Sequence, residues 1–267
     1  MITIVTPAYN AEKTINELYE NITLVLDEYE FNWIIVNDCS TDSTINLLET
    51  LAKKNKNITI FNLKYNMGPN YARSYGIKKS KTKYILLLDA DDLIFTESLK
   101  LMINFITSNN NLDFYFCPIL SIKLRRNFNS NLYRNKKDKL FLIKKPTDFI
   151  IYGFPHPSSL IIKKDFFIEN NKKNNLKWGE DILLYLILSK NGTGIRWLYP
   201  ISCYINEGAG RGSQLNIKYR FDLFKSLIKE SLVGKKKINS IIFSFFMITR
   251  FTLSYIYKKY LVNFLKK

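Results

Sequence analysis

Short apolar runs alternate with helical patterns through the first part of the chain, and this alternation is the strongest constraint on its fold. Ile2–Thr6, Phe31–Val36, Ile58–Leu63 and Tyr84–Leu88 have the length of strands. Between them, Ala11–Tyr29 carries Ile15, Leu18, Ile22 and Leu26 at helical intervals, and Ser43–Lys54 and Gly68–Lys79 continue the pattern. Glu97–Ser108 supplies the next helix. Strands and helices in alternation build βαβ units and a mainly parallel sheet. Ligands of such sheets bind beyond the carboxyl ends of the strands, where strand order reverses.

Three of these strands end in polar loops: Thr6-Pro7-Ala8-Tyr9-Asn10, Asn37-Asp38-Cys39-Ser40 and Asp89-Ala90-Asp91-Asp92. In a parallel sheet all three leave the same edge and are expected to share one ligand. The third loop sets three carboxylates within four positions at the end of an apolar strand. Adjacent carboxylates resist ionising together, and a divalent cation with phosphate oxygens in its shell removes that conflict. The competing reading places Asp91 and Asp92 at a helix start, where the helix dipole favours acids.

The net charge of +17 points to an anionic partner: nucleic acid, an acidic membrane surface or a phosphorylated substrate. Cys39, Cys117 and Cys203 are widely spaced and form no CxxC pair, which fits a reducing compartment. The first residues enter a strand directly, without a secretory signal pattern, so a cytoplasmic location is expected.

From about Leu112 the alternation stops. Phe114–Cys117, Lys139–Ile143 and Ser159–Ile162 read as short strands, with a basic, Asn-rich loop over Lys123–Lys137. A helix over Gly179–Ser189 and a strand over Ile195–Ile205 follow, then a Gly-rich loop at Glu207–Ser213 and a helix over Leu215–Leu232. Ile238–Leu265 is apolar and aromatic, bracketed by Lys235-Lys236-Lys237, Lys258-Lys259 and Lys266-Lys267. On a helical wheel Asn239, Ser240, Ser244, Arg250, Ser254 and Lys258 share one side. The pattern predicts a helix lying on an anionic membrane surface, with a chain ending near Gly234 remaining soluble. Packing against the domain or another chain is the alternative, and Arg250 argues against a span.

The chain resembles the inverting family 2 glycosyltransferases of the GT-A fold, of bacterial surface-polysaccharide type. The matching elements are Thr6–Asn10, Val36-Asn37-Asp38-Cys39-Ser40-Thr41-Asp42, Asn66–Gly76, the DxD-like Asp89-Ala90-Asp91-Asp92 and the acidic Trp178-Gly179-Glu180-Asp181. They cover residues 1 to about 215. The resemblance implies a glycosyltransferase domain over 1–215, with a nucleotide-sugar half at 1–111 and an acceptor half at 112–215. Residues 216–267 then form a helical, basic-aromatic extension.

By the same resemblance, Pro7, Ala8 and Tyr9 form a base pocket and Asp38 accepts a hydrogen bond from the base, although an Asx turn is another use of such an aspartate. Asp89 lies against the ribose, and Asp89 with Asp91 holds Mn²⁺ or Mg²⁺ on the diphosphate, with Ala90 between them. Asp92 is the third carboxylate, suited to the following helix. Arg73 reaches the nucleotide or sugar, or is a solvated helix arginine. Arg211, among glycines, closes on the diphosphate. Asp181 is the catalytic base with Glu180 beside it, and His156 and Trp178 stand on the acceptor side. No histidine near 205–215 completes a metal shell, unlike in some relatives. The implied partners are a nucleotide-diphosphate sugar (UDP-linked), a glycan or lipid-linked acceptor and the inner membrane face, with no nucleic acid.

Two other classes share parts of this pattern. A metal-dependent sugar nucleotidyltransferase would use a similar sheet and similar carboxylates, but no Gly-rich phosphate loop with a lysine follows the first strand. A nucleic-acid-binding protein would account for +17, yet the basic residues are interleaved with a lipid-like helix and no binding motif.

Overall fold

A computed structural model of the chain describes residues 2–26, 31–121, 140–170, 176, 179–204 and 217–257. The expected alternation is present: β1 (Ile2–Ala8), α1 (Ile15–Leu26), β2 (Asn32–Asn37), α2 (Thr44–Lys54), β3 (Ile58–Asn62), α3 (Pro69–Lys79) and β4 (Tyr84–Leu87). β1 pairs in parallel with β2 on one side and β4 on the other, and β2 pairs in parallel with β3. Every residue of β1 is buried, as expected for a parallel strand covered on both faces. Strand order therefore reverses at β1, and the loops after β1, β2 and β4 open beside one another.

The second half is mostly antiparallel. β6 (Phe114–Phe116), β8 (Leu140–Ile143), β9 (Leu160–Lys163) and β10 (Gly194–Trp197) extend the main sheet to the order β3-β2-β1-β4-β9-β6-β10-β8. β5 (Asp92–Ile94), β7 (Ile119–Ser121) and β11 (Ser202–Tyr204) make a smaller sheet in the order β5-β11-β7. Two sequence expectations are corrected here. The single strand over Ile195–Ile205 is two strands in different sheets, with Pro200, which cannot donate to a ladder, lying between them. Asp92 does not start a helix: it opens β5, and α4 (Thr96–Ser108) begins four residues later.

Buried side chains form one cluster on each face of the sheet. Neighbours on a strand alternate between them, as Ile4 and Val5 do. The second cluster gathers α3, α5 (Pro146–Tyr152), α6 (Lys164–Asn170), α7 (Glu180–Asn191), α8 (Ile217–Ser231) and α9 (Lys237–Ile256). α3 lies close because Gly76 has no side chain: a Cβ there would stand 2.6 Å from Val5 Cγ1. Phe243 and Met247 of α9 are fully buried in this cluster with Leu223 and Leu227 of α8. The C-terminal helices are thus part of the core, and a chain ending near Gly234 would lack the Phe243 and Met247 side chains that α9 contributes to it. Arg211, Trp178, the Gly-rich loop and the Lys123–Lys137 stretch lie outside the described residues.

Candidate active site

The loops after β1 and β2 are locked together by hydrogen bonds that neither could make alone. Ala11 N–H donates to Thr44 Oγ1 at 2.7 Å, Asn10 N–H to Ser40 Oγ at 3.0 Å, and Thr41 N–H to Asn10 Oδ1 at 2.9 Å. Asn10 and Cys39 adopt left-handed backbone, with φ of 52° and 60°. Such conformations in non-glycine residues persist where the surroundings enforce them, and they gather at functional sites.

Asp38 is buried, and its carboxylate accepts from a loop about thirty residues further along the chain. Oδ1 accepts from Met67 N–H at 2.7 Å and Oδ2 from Gly68 N–H at 2.8 Å. The aspartate therefore pins the loop that leads into α3. Gly68 suits that loop through its φ of 87°, and Pro69 opens the helix.

Arg73, on α3, is buried and not a solvated helix arginine. Its Nη2 lies 2.6 Å from Asp89 Oδ1 and its Nη1 lies 4.0 Å from Glu180 Oε1. Burial opposes its charge, but the carboxylates of Asp89 and Glu180 outweigh burial and raise its pKa. The guanidinium is thus the physical link between the DxD-like loop and the acidic start of α7.

The three strand-end loops and α3 enclose a cleft of about 570 Å³. Pro7, Ala8, Tyr9, Asp38, Arg73, Asp89, Ala90 and Asp91 all line it, joined by Asn10, Lys13 and Pro69. All of the nucleotide-side residues named from the sequence that fall among the described residues therefore meet in one place. Asp91 is exposed to the cleft, whereas Asp92 is buried. Burial, and then the neighbouring Asp89 charge, push the Asp92 carboxyl up to about 8.

Ser158 is a site residue that the sequence pattern did not single out. It sits in a 3-10 turn, Pro157–Ser159. Its Oγ accepts from Asp89 N–H at 3.0 Å and makes a short hydrogen bond to Asp92 Oδ2. His156 caps that turn, with Nδ1 accepting from Ser158 N–H at 3.3 Å and lying 3.8 Å from Asp92 Oδ2. Burial lowers the pKa of His156, so the neutral ring carries its proton on Nε2.

Glu180 and Asp181 do not line the main cleft. They border a much smaller adjoining cavity of about 10 Å³ with Arg73, which is common to both spaces, and with Tyr185. Asp181 Oδ1 accepts from Ile182 N–H at 2.9 Å. Burial, then the Glu180 charge, hold its carboxyl up at about 6. Tyr185 follows one turn later on the same helix, and its buried hydroxyl has no hydrogen-bond partner among the described residues.

Among the described residues no three His, Cys, Asp or Glu side chains converge into a self-contained metal centre. Asp89 and Asp91 supply two carboxylates, the number Mg²⁺ takes when phosphates and water complete its shell. The donor set fits a cation that arrives with a diphosphate.

Residues 3–169 match glycosyl transferase family 2. The chain belongs to that family.

Among its relatives, an uncharacterized glycosyltransferase of Haemophilus influenzae is 33% identical over 118 residues, covering 41% of this chain and 44% of the relative. The minor teichoic acid biosynthesis protein GgaB of Bacillus subtilis is 30% identical over 190 residues, 70% of this chain and 21% of its own length. The chain thus spans less than half the length of these curated relatives. The structure of Staphylococcus aureus TarS 1-349 in complex with UDP-GlcNAc superposes with a TM-score of 0.72 at 21% identity, covering 97% of this chain and 73% of that one. A mannosyltransferase of Pyrobaculum calidifontis in complex with GDP-Man and Mn²⁺ gives 0.63 at 14% identity, with 91% and 68% covered. The fold of this family 2 glycosyltransferase is therefore GT-A, with the apolar helix α9 at its end.

Proposed function

We propose that this chain transfers a sugar from a UDP-linked donor, with inversion, to a hydroxyl of a bacterial surface glycan or its lipid-linked precursor. The observation that carries this reading is the single cleft where the β1, β2 and β4 loops meet, with buried Arg73 joining Asp89 to Glu180. Pro7, Ala8 and Tyr9 offer a surface for the base. Asp38, on the wall of the cleft beside them, is assigned to the base by the family pattern.

Asp91 and Asp89 would hold Mn²⁺ or Mg²⁺ on the diphosphate, where the ion supplies Lewis-acid stabilisation to the leaving group. The acceptor oxygen bonds to the anomeric carbon as the bond from that carbon to the phosphate oxygen breaks. The electron pair leaves on the nucleoside diphosphate, and the acceptor proton passes to Asp181. A carboxyl held at about 6 is ionised at neutral pH yet more basic than an ordinary aspartate, which suits a general base. His156, Trp178 and Arg211 are assigned to the acceptor and diphosphate sides on the strength of the family pattern. TarS and one further relative are named for poly(ribitol-phosphate), and a chain of net charge +17 suits such a polyanion.

Calorimetric titration with UDP and GDP, each with and without Mn²⁺, tests the donor site. Donor hydrolysis across a panel beginning with UDP-GlcNAc tests the sugar. Metal-enhanced UDP binding and hydrolysis of one UDP-sugar are expected. Turnover of a nucleoside triphosphate with a sugar phosphate, and none of a nucleotide sugar, would favour a nucleotidyltransferase instead.

A further inference from the structure

The C-terminal helix pair buries a mixed face, with small hydroxyl side chains beside Phe243 and Met247, and leaves an apolar face outside. α9 turns small polar side chains toward α8: Ser231 Oγ and Ser244 Oγ lie 2.6 Å apart, and Ser231 Oγ donates to the Ser240 carbonyl at 3.0 Å. Ser240 and Ser244 are buried. Outward, α9 presents Ile238, Phe245 and Leu253 at 74%, 71% and 61% exposure, with Ile241, Ile242 and Phe246 beside them. On α8, Ile217, Phe221 and Ile228 are also exposed by half or more, as is Leu232 just after it. Arg250, on the serine side of the helical wheel, is exposed at the flank of that side, with its guanidinium over the Phe154 ring at 5.6 Å. A surface helix of a globular protein normally buries its apolar stripe and exposes its polar one. Small hydroxyl residues between helices, with apolar side chains outside, are the arrangement used in lipid.

Charge selects the occupant. Residues 217–257 contain eight basic side chains and only two acidic ones, Asp222 and Glu230. Glu230 is engaged by Lys190. A second copy of this face would set lysines against lysines, whereas anionic headgroups complement them. Lys235 and Lys237 are exposed at the start of α9, where the apolar face begins. Lys237–Tyr255 is long and apolar enough to cross a bilayer by length and composition, and 22% of it is buried. It does not cross as built, because Phe243 and Met247 fasten its inner side to the domain core and Arg250 is exposed.

We propose that the outer face of α9 is a membrane-docking surface. It lies in the headgroup–acyl boundary of an anionic bilayer, with Lys235 and Lys237 on the headgroups and the serine-lined face kept on α8. This goes beyond the sugar-transfer reading and stands or falls separately from it.

The test is co-sedimentation of the whole chain with phosphatidylcholine vesicles, with and without about one-third phosphatidylglycerol. Binding to the anionic vesicles is expected, weakened by salt but not abolished, because the apolar contribution is unscreened. The triple variant Ile238→Ser/Ile242→Ser/Phe245→Ser removes outward apolar groups and should lower partitioning by about tenfold or more, with an unchanged thermal transition. Lys235→Glu/Lys237→Glu, at two exposed positions, should remove the preference for anionic lipid and covers the case of a misfolded triple variant. Failure of the wild-type chain to sediment at low salt overturns the proposal, as does wild-type binding by both variants. A wild-type dimer that the triple variant dissociates, with vesicle binding unchanged, would assign the face to a second copy and also overturn it.

Discussion

Arg73→Met keeps side-chain length but leaves Asp89 and Glu180 without the cation between them. Arg73 is 8% exposed, and its guanidinium contacts Asp89 at 2.6 Å and Glu180 at 4.0 Å. Removing one partner of a buried ion pair costs about 3–5 kcal/mol, because the other charge is left uncompensated. The Asp89 side chain retains 22% exposure on the cleft side, so water reaches it and the low end applies, about 3 kcal/mol. In a chain of this size each kcal/mol moves the melting midpoint by about 2–4 °C, so a fall of about 6–12 °C is expected. Differential scanning calorimetry measures it directly. Arg73→Lys restores the charge but not the planar fork, so it should recover only part of the loss. Adding Asp89→Asn to Arg73→Met should be less damaging than the sum of the single changes, since the stranded carboxylate is then gone. A midpoint within about 2 °C of wild type for Arg73→Met, or strict additivity in the cycle, would refute a linking role for this arginine.

For Asp181, the folded-state carboxyl sits at about 6, above its ordinary value. The ionised base is therefore lost as pH falls through about 6, and transfer should drop about tenfold per pH unit below that point. Asp181→Asn should abolish transfer with donor binding near wild type by calorimetry. It should also stabilise the fold more at pH 7 than at pH 4, because the penalty on the buried charge is relieved as pH falls. Asp91→Asn removes an exposed carboxylate, so Mn²⁺-dependent transfer should vanish while the melting midpoint stays within about 1 °C. Phe243→Ala opens the core under α9 and should cost about 3–5 kcal/mol in urea unfolding, whereas Phe245→Ala, two residues on but exposed, should cost less than about 0.5 kcal/mol.

Local pattern determined the nucleotide half of this protein. Apolar run length and helical spacing gave four parallel strands and their helices, and the polar residues at three strand ends fell in one cleft, because a parallel sheet sends those ends to a common edge. The antiparallel half was less legible: β5 and β7 are three residues each, too short to carry a period, and their pairing depends on partners far along the chain. Side-chain environment lay beyond the sequence altogether. Nothing in the run Asn70–Gly76 distinguishes a buried arginine from a solvated one, and only the approach of Asp89 and Glu180 to α3 decides it. Asp92 read as a helix start because local charge suits a dipole, yet strand pairing with β11 buries it instead. For α9 the amphipathic pattern was visible, but a wheel does not say which face is inside. Phe243 and Met247 in the core, with the Ser244 hydroxyl paired to Ser231 of α8, decide that, and they leave the apolar side to the surroundings.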